Sequence, residues 1–391
     1  MRLISVFLLN IILLQTFQGF CQSKTDSLLQ VLDKVEGTDK VKAFNELFRY
    51  NINNNPEEAI AYVWKAHELA VEINDLKGLA AANNNLGIAY KNHGVFDKAL
   101  DFQLKSLALH DSLENKVGIA SNFNNIGTIY VLKSDLVQAL EYFLSALDLI
   151  SGLNNFQQEV LILNNIGNVY FDTGEYDLAM EYFNKALMKC DQSNKAADKF
   201  EPLLSMGNAY VMKNDLIMAE KYFSDALKLT EQTGFVDNKS FVLYSYGMLK
   251  FKQKDFVNAI SLLSEAMEIA EKDNLVILRK DIYKGLSEIY NEQGEMKMAY
   301  AYLKEYNSIS EHVFSMETGN KIAQLEMATA FGEKEKEIER LRFQSEITKL
   351  KLENSQVVIL VGLMGTLLLL GAVYTYIIIR REKKLKNSID Q

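Results

Sequence analysis

The chain has 391 residues, of which 48% are hydrophobic and 24% charged, with a formal net charge of -9. That length exceeds one ordinary compact domain, and the acidity argues against non-specific nucleic-acid binding. Only two prolines and two cysteines occur, which favours a helical chain held by core burial without an internal disulfide.

At the N-terminus, Arg2 precedes an apolar run from Leu3 to Leu14, and Gln18, Gly19, Cys21, Gln22 and Ser23 follow. A charged start, a short apolar stretch and a small-residue exit predict a signal peptide over 1–22. The run is too short to cross a bilayer comfortably. Cys21 is not read as a lipid attachment site, because Phe20 and Gln18 stand where lipoprotein signals carry a small residue and a leucine. Residues 23–39 are expected to form a helical cap.

From residue 40 to 319 the sequence repeats itself. At a spacing of 40, alanine recurs at Ala59, Ala99, Ala139, Ala179, Ala219, Ala259 and Ala299. Tyrosine recurs at Tyr50, Tyr90, Tyr130, Tyr170, Tyr210 and Tyr290, broken by Lys250. Glycine recurs at Gly87, Gly127, Gly167, Gly207 and Gly247, and a second small column runs Ala66, Ser106, Ala146, Ala186, Ala226 and Ala266. Each copy reads as two amphipathic helices around a tight turn. The turn positions hold Asn54, Gly94, Ser134, Gly174, Asn214, Lys254 and Gly294, mostly residues that tolerate a left-handed backbone. Small residues at the crossings let two helices approach to roughly 8–10 Å.

The run NNIGNVY at 164–170, with Gly174, Tyr176, Ala179, Phe183 and Ala186, resembles the tetratricopeptide repeat family. The resemblance implies an all-α fold: a solenoid of seven helical hairpins in a right-handed superhelix, with the first helix of each pair on the inner wall. The period is 40, where the family's usual period is 34, and Asp191 stands where the family's closing proline is usual. The outer copies drift, with Leu47 and Ser287 in place of the glycine, as expected where a repeat caps the stack. In the family, the positions around the glycine column face a groove. Here they hold Asn84, Asn85, Asn124, Asn125, Asn164, Asn165, Asn168 and Asn208. Asparagine is a poor helix-interior residue, and its carboxamide can both donate to and accept from a peptide backbone. A ladder holding an extended peptide is one reading; amides bonding neighbouring repeats and stiffening the stack is the other. Lys91 and Lys284 are the few inward cations, so capture of an acidic tail is not expected.

Residues 320–356 are rich in Glu, Lys and Leu and contain no proline. Ile338, Leu341, Ile347 and Leu350, with Phe331 and Phe343 nearby, predict an amphipathic, coiled-coil-like stalk helix. A parallel homodimer and a lone helix packed on the last repeats both remain open. Val357 to Ile379 is uncharged and, at about 1.5 Å per residue, long enough to span a membrane. Tyr374 and Tyr376 lie near one end, and the tail 380–391 carries Arg380, Arg381, Lys383, Lys384 and Lys386. Such a basic flank stays on the cytoplasmic side. The expected location is therefore the inner membrane, crossed once, with the repeats in the periplasm.

No enzyme is expected. His67, His93, His110 and His312 form no metal-ligand spacing, and no phosphate-binding glycine loop is present. Neither a metal nor another cofactor is expected. The order of parts resembles the exported sensor half of Bacteroidetes sensor histidine kinases with tetratricopeptide repeats, but the 12 residues after the span leave no room for a kinase. The sequence thus predicts a membrane-anchored module that binds a protein or peptide and serves signalling. A non-switching scaffold that tethers an envelope complex is the alternative.

Overall fold

The computed structural model describes residues 25–52, 55–193, 196–233 and 236–389. The expected signal peptide and the turn residue Asn54 lie outside the described residues. So do the side chains of Phe331, Ile338 and Leu341 in the stalk. The described residues divide after Leu325 into two compact units.

The first unit is a solenoid of helical hairpins. A short helix α1 at 25–32 opens it. Seven hairpins follow: α2 Gly37–Asn51 with α3 Pro56–Glu72, α4 Leu76–Asn92 with α5 Phe96–Ser112, and α6 Lys116–Leu132 with α7 Leu136–Ile150. Then come α8 Phe156–Asp172 with α9 Tyr176–Ser193, α10 Phe200–Met212 with α11 Leu216–Thr233, and α12 Val236–Lys252 with α13 Phe256–Lys272. The last pair is α14 Val276–Glu292 and the start of α15 Met296–Ile389.

Local chemistry sets these boundaries. Asp75, Asn115, Asp135, Asn155, Asp215 and Asp255 each accept a hydrogen bond from a backbone N–H at their helix start, which satisfies donors a helix leaves orphaned. Gly94, Ser134, Gly174, Asn214, Lys254 and Gly294 all take a positive φ, as their place in the repeat requires. A second left-handed column, between hairpins, runs Asn74, Glu114, Asn154 and Asn274. Glu114 gives no sequence hint of that role.

The columns are the core. Ala59, Ala99, Ala139, Ala179, Ala219 and Ala259 are all 0% exposed. The glycines make room for aromatic rings sixteen residues on. A Cβ at Gly127, Gly167 or Gly207 would lie 2.6, 2.4 or 2.4 Å from the ring of Phe143, Phe183 or Phe223. Four of the column's tyrosines stack on the tyrosine twelve further along: Tyr130 on Tyr142 and Tyr170 on Tyr182 at 5.5 Å, and Tyr210 on Tyr222 and Tyr290 on Tyr302 at 5.4 Å. In the seventh copy Ser287 takes the glycine's place, and its hydroxyl donates to the Ala299 carbonyl at 2.9 Å.

The break at Lys250 is an electrostatic substitution. Lys250 Nζ donates to Glu220 Oε1 at 2.7 Å, the Tyr246 hydroxyl donates to the same oxygen at 3.1 Å, and Gln253 donates to Glu220 Oε2 at 3.1 Å. These donors, Lys250 first, hold the Glu220 carboxyl below its ordinary range. A depressed carboxyl stabilises the fold above the unfolded pKa and loses that effect as pH falls through the folded value. Because the Glu220 side chain is 38% exposed and solvent screens the pair, we expect Glu220→Gln to cost at most about 1 kcal/mol near neutral pH and to flatten the acid limb of the stability curve below about pH 4. Urea titrations at several pH values measure it; parallel curves for both chains would remove the electrostatic account.

In the second unit, Glu346–Arg381 is long and apolar enough to cross a membrane, and it contains the expected span at 357–379. Phe343, Ile347 and Leu350 are exposed on the single chain.

Candidate binding wall

Neighbouring first helices touch at every step from α2 to α14, whereas each second helix packs on the first helix of the next repeat. The first helices therefore gather on one wall, and their outward columns are its surface.

Adjacent positions on a helix point about 100° apart, so consecutive asparagines do different work. Three pairs bind across repeats. Asn85 Nδ2 donates to Asn45 Oδ1, Asn125 Nδ2 to Asn84 Oδ1, and Asn165 Nδ2 to Asn124 Oδ1, each at 2.8 Å. The structure thus brings Asn84 together with Asn125, and Asn124 together with Asn165, as braces between successive first helices. Bonding between repeats accounts for one donor and one acceptor in each pair. Asn125 and Asn165 remain half-buried on the wall. For Asn164, next in the acceptor series, the residue forty-one further on is Ser205 and not an asparagine, and its Oδ1 is buried without a partner. Asn168 is exposed and Asn208 half-buried.

A further polar set was not legible from the column. Asn122 Nδ2 donates to Gln103 Oε1 at 2.7 Å, and Gln103 Nε2 donates to the Asn84 carbonyl at 3.0 Å. Gln103 stands where later repeats carry phenylalanine, beside Gly87. The signal was the aromatic gap at 103 against Phe143 and Phe183.

The wall changes character along the stack. Repeats two to four present amides. Repeats five to seven form a cavity of about 410 Å³ that includes Asn208, Phe241, Tyr244, Ser245, Ile277 and Asp281. Burial first, then the Asp281 and Glu288 charges, raises the Tyr244 hydroxyl above its ordinary pKa, so it is a neutral donor there. Lys91 is half-buried, and burial lowers its pKa. Lys284 is exposed.

Among the described residues, no group of three or more His, Cys, Asp or Glu side chains is placed to hold a metal ion. His67 is buried and packs edge-on against Trp64 at 5.5 Å. His110 packs over Gly118, with its Nδ1 3.1 Å from Asn115 Nδ2. Cys190 is buried, and that burial pushes its thiol up to about 11, far from a reactive thiolate.

A family model described as tetratricopeptide repeat matches residues 78–152 and 158–232, which correspond to hairpins two and three and hairpins four and five. A comparison with curated proteins returns no match. Solved structures similar to the chain include the apo form of RapI, at 14% identity and a TM-score of 0.57 over 71% of this chain and 99% of that one. Aspartyl phosphate phosphatase F from Bacillus subtilis is similar at 16% identity and a TM-score of 0.57, covering 73% and 74%. A signal transduction ATPase with numerous domains and a tetratricopeptide repeat sensor, from Pyrococcus horikoshii, is similar at 18% identity and a TM-score of 0.59, covering 74% and 45%. At these identities the likeness is one of fold.

Proposed function

We propose that the chain, four of whose forty-residue hairpins match the tetratricopeptide repeat family, is a membrane-anchored binding module that holds an extended peptide or protein segment on its inner wall. One observation carries this reading: a continuous wall of first helices that is amide-rich in the middle and opens into an aromatic cavity beyond Asn208. Asn168 and Asn208 offer groups that recognise peptide backbone without regard to sequence. The cavity takes an apolar side chain. Asn84, Asn85, Asn124, Asn125 and Asn165 would act mainly by fixing the spacing of that wall, whereas Asn164, whose Oδ1 has no partner, would be free to meet a ligand. Glu346–Arg381 supplies the anchor, with the repeats exported and the basic tail inside. The sensor named in the Pyrococcus horikoshii protein fits a receiving role.

The test is binding of the full chain, in detergent micelles, to an array of short peptides. Asn168→Ala combined with Asn208→Ala should weaken peptides the parent chain retains by about tenfold, near 1.4 kcal/mol, with helicity unchanged. These two residues are chosen because replacing Asn125 or Asn165 would also orphan a bonded neighbour. Unchanged affinity in the double variant, or no peptide retained by the parent, would defeat the proposal and favour a tethering scaffold.

A further inference from the structure

The regular stack is disturbed at the fifth repeat. Its first helix, α10, has 13 residues where its neighbours have 17, and a 3-10 turn at Ala196–Lys199 precedes it. Pro202 sits in the first turn of α10; proline is tolerated there, but it would break a longer helix. The shortened helix leaves a cavity of about 450 Å³ between α8 and α10, whose lining includes Leu161, Asn164, Asp198, Phe200, Glu201 and Pro202. Leu161 and Glu201 are exposed members of the same inner-wall column, so the cavity opens on the wall.

Its lining also holds the amides of Asn155, Gln157, Gln158 and Asn238, and those of Asn155 and Gln158 donate elsewhere, yet two of its acceptors lack donors. Asn164 is only 7% exposed, and its Oδ1 is buried without a partner. Asp198 Oδ2 is likewise buried without one. Desolvation among the cavity walls raises the Glu201 carboxyl above its ordinary range, although solvent still reaches the side chain. Nearby carboxylates are matched by cations: Glu159 by Lys189 at 2.9 Å, and Asp191 by Lys199. Among the described residues neither Asp198 nor Glu201 is in an ion pair. Buried acceptors of this kind cost free energy until a donor arrives, and the carboxylates of Asp198 and Glu201 favour a donor with positive charge.

We infer that this cavity receives the guanidinium or ammonium head of a basic side chain on a peptide lying along the inner wall. The inference rests on the wall reading above and adds a chemical preference to it. A guanidinium brings five N–H donors and a permanent charge, which suits three separated oxygens better than a neutral amide does. The side-chain stem would lie against Leu161 and Phe200.

Ligand-observed NMR on the full chain in micelles tests it with four probes at equal concentration. These are N-acetyl-arginine amide, N-acetyl-lysine amide, N-acetyl-citrulline amide and alanine amide with a free amino terminus. The arginine and lysine probes should bind, and citrulline, isosteric but neutral, at least tenfold more weakly. Glu201→Gln, at a solvent-accessible position, should weaken the arginine probe at least fivefold, and so should Asn164→Leu, which keeps the shape of the side chain. Equal binding of citrulline, no binding of the arginine probe, or indifference to Glu201→Gln overturns the inference. Tighter binding of alanine amide than of arginine overturns the side-chain assignment. Array peptides that depend on Asn168 and Asn208 but show no basic bias would leave the wall reading standing and sink this one.

Discussion

Phe183→Ala is expected to cost about 3–5 kcal/mol, enough to disrupt the fourth and fifth repeats. Phe183 is fully buried and fills the space that Gly167 leaves open, with no room for even a methyl group between them. Truncation leaves a ring-sized void in a site that α8 and α9 hold from both sides. The reciprocal change tests the same contact. Gly167→Ala gains helix propensity worth about 1 kcal/mol, yet it forces a methyl into the ring and should lose about 1–3 kcal/mol by overpacking. Placed on a Phe183→Leu background, the alanine should become less costly, because Leu263 opposite Gly247 already leaves a Cβ position 3.0 Å from its nearest atom. Urea unfolding followed by circular dichroism of the parent chain, Gly167→Ala, Phe183→Leu and their double variant, with Phe183→Ala alongside, measures the coupling, and simple additivity would show that the glycine and phenylalanine columns are not coupled.

The second large effect concerns the anchor. On the proposed membrane reading, Leu367→Arg with Leu368→Arg should make insertion less favourable by about 5–7 kcal/mol, since each centrally placed arginine costs about 2.5–3.5 kcal/mol. Both leucines lie within Glu346–Arg381 and are exposed on the single chain. The parent chain should stay in the membrane pellet after carbonate extraction, and the double variant should move to the supernatant. A parent chain that is itself extracted, or a variant that stays behind, would refute the span.

Much of the fold could be read before any coordinates, for a physical reason. A seven-copy stack imposes the same steric demand at every fortieth residue, so Ala139, Ala179 and Ala219 report one environment three times. The turn at Gly174 was legible because few residues tolerate its backbone. Glu114 hid an equivalent turn, since a charged side chain gives no hint of a left-handed φ. The glycine column was visible, but its partner was not, because sequence gives a period without giving the angle between two helices. The asparagines divide the same way. Their register was plain, yet one residue's rotation about the helix decides whether an amide faces the groove or the next repeat. Asn84 and Asn124 turn toward the next repeat. The irregular fifth repeat could have been suspected from Pro202, one of only two prolines in the chain.

Because each hairpin among the described residues packs chiefly on the hairpins beside it, the array can change length without remaking a shared core. Joining Gly118 directly to Glu159 would excise forty residues and keep every column in phase, since the two cut points occupy successive places in the same template. The footprint available to a bound segment would shorten by one step while the remaining joints kept their geometry. Reach is therefore a property such a scaffold can gain or lose in whole steps, without a new core being invented.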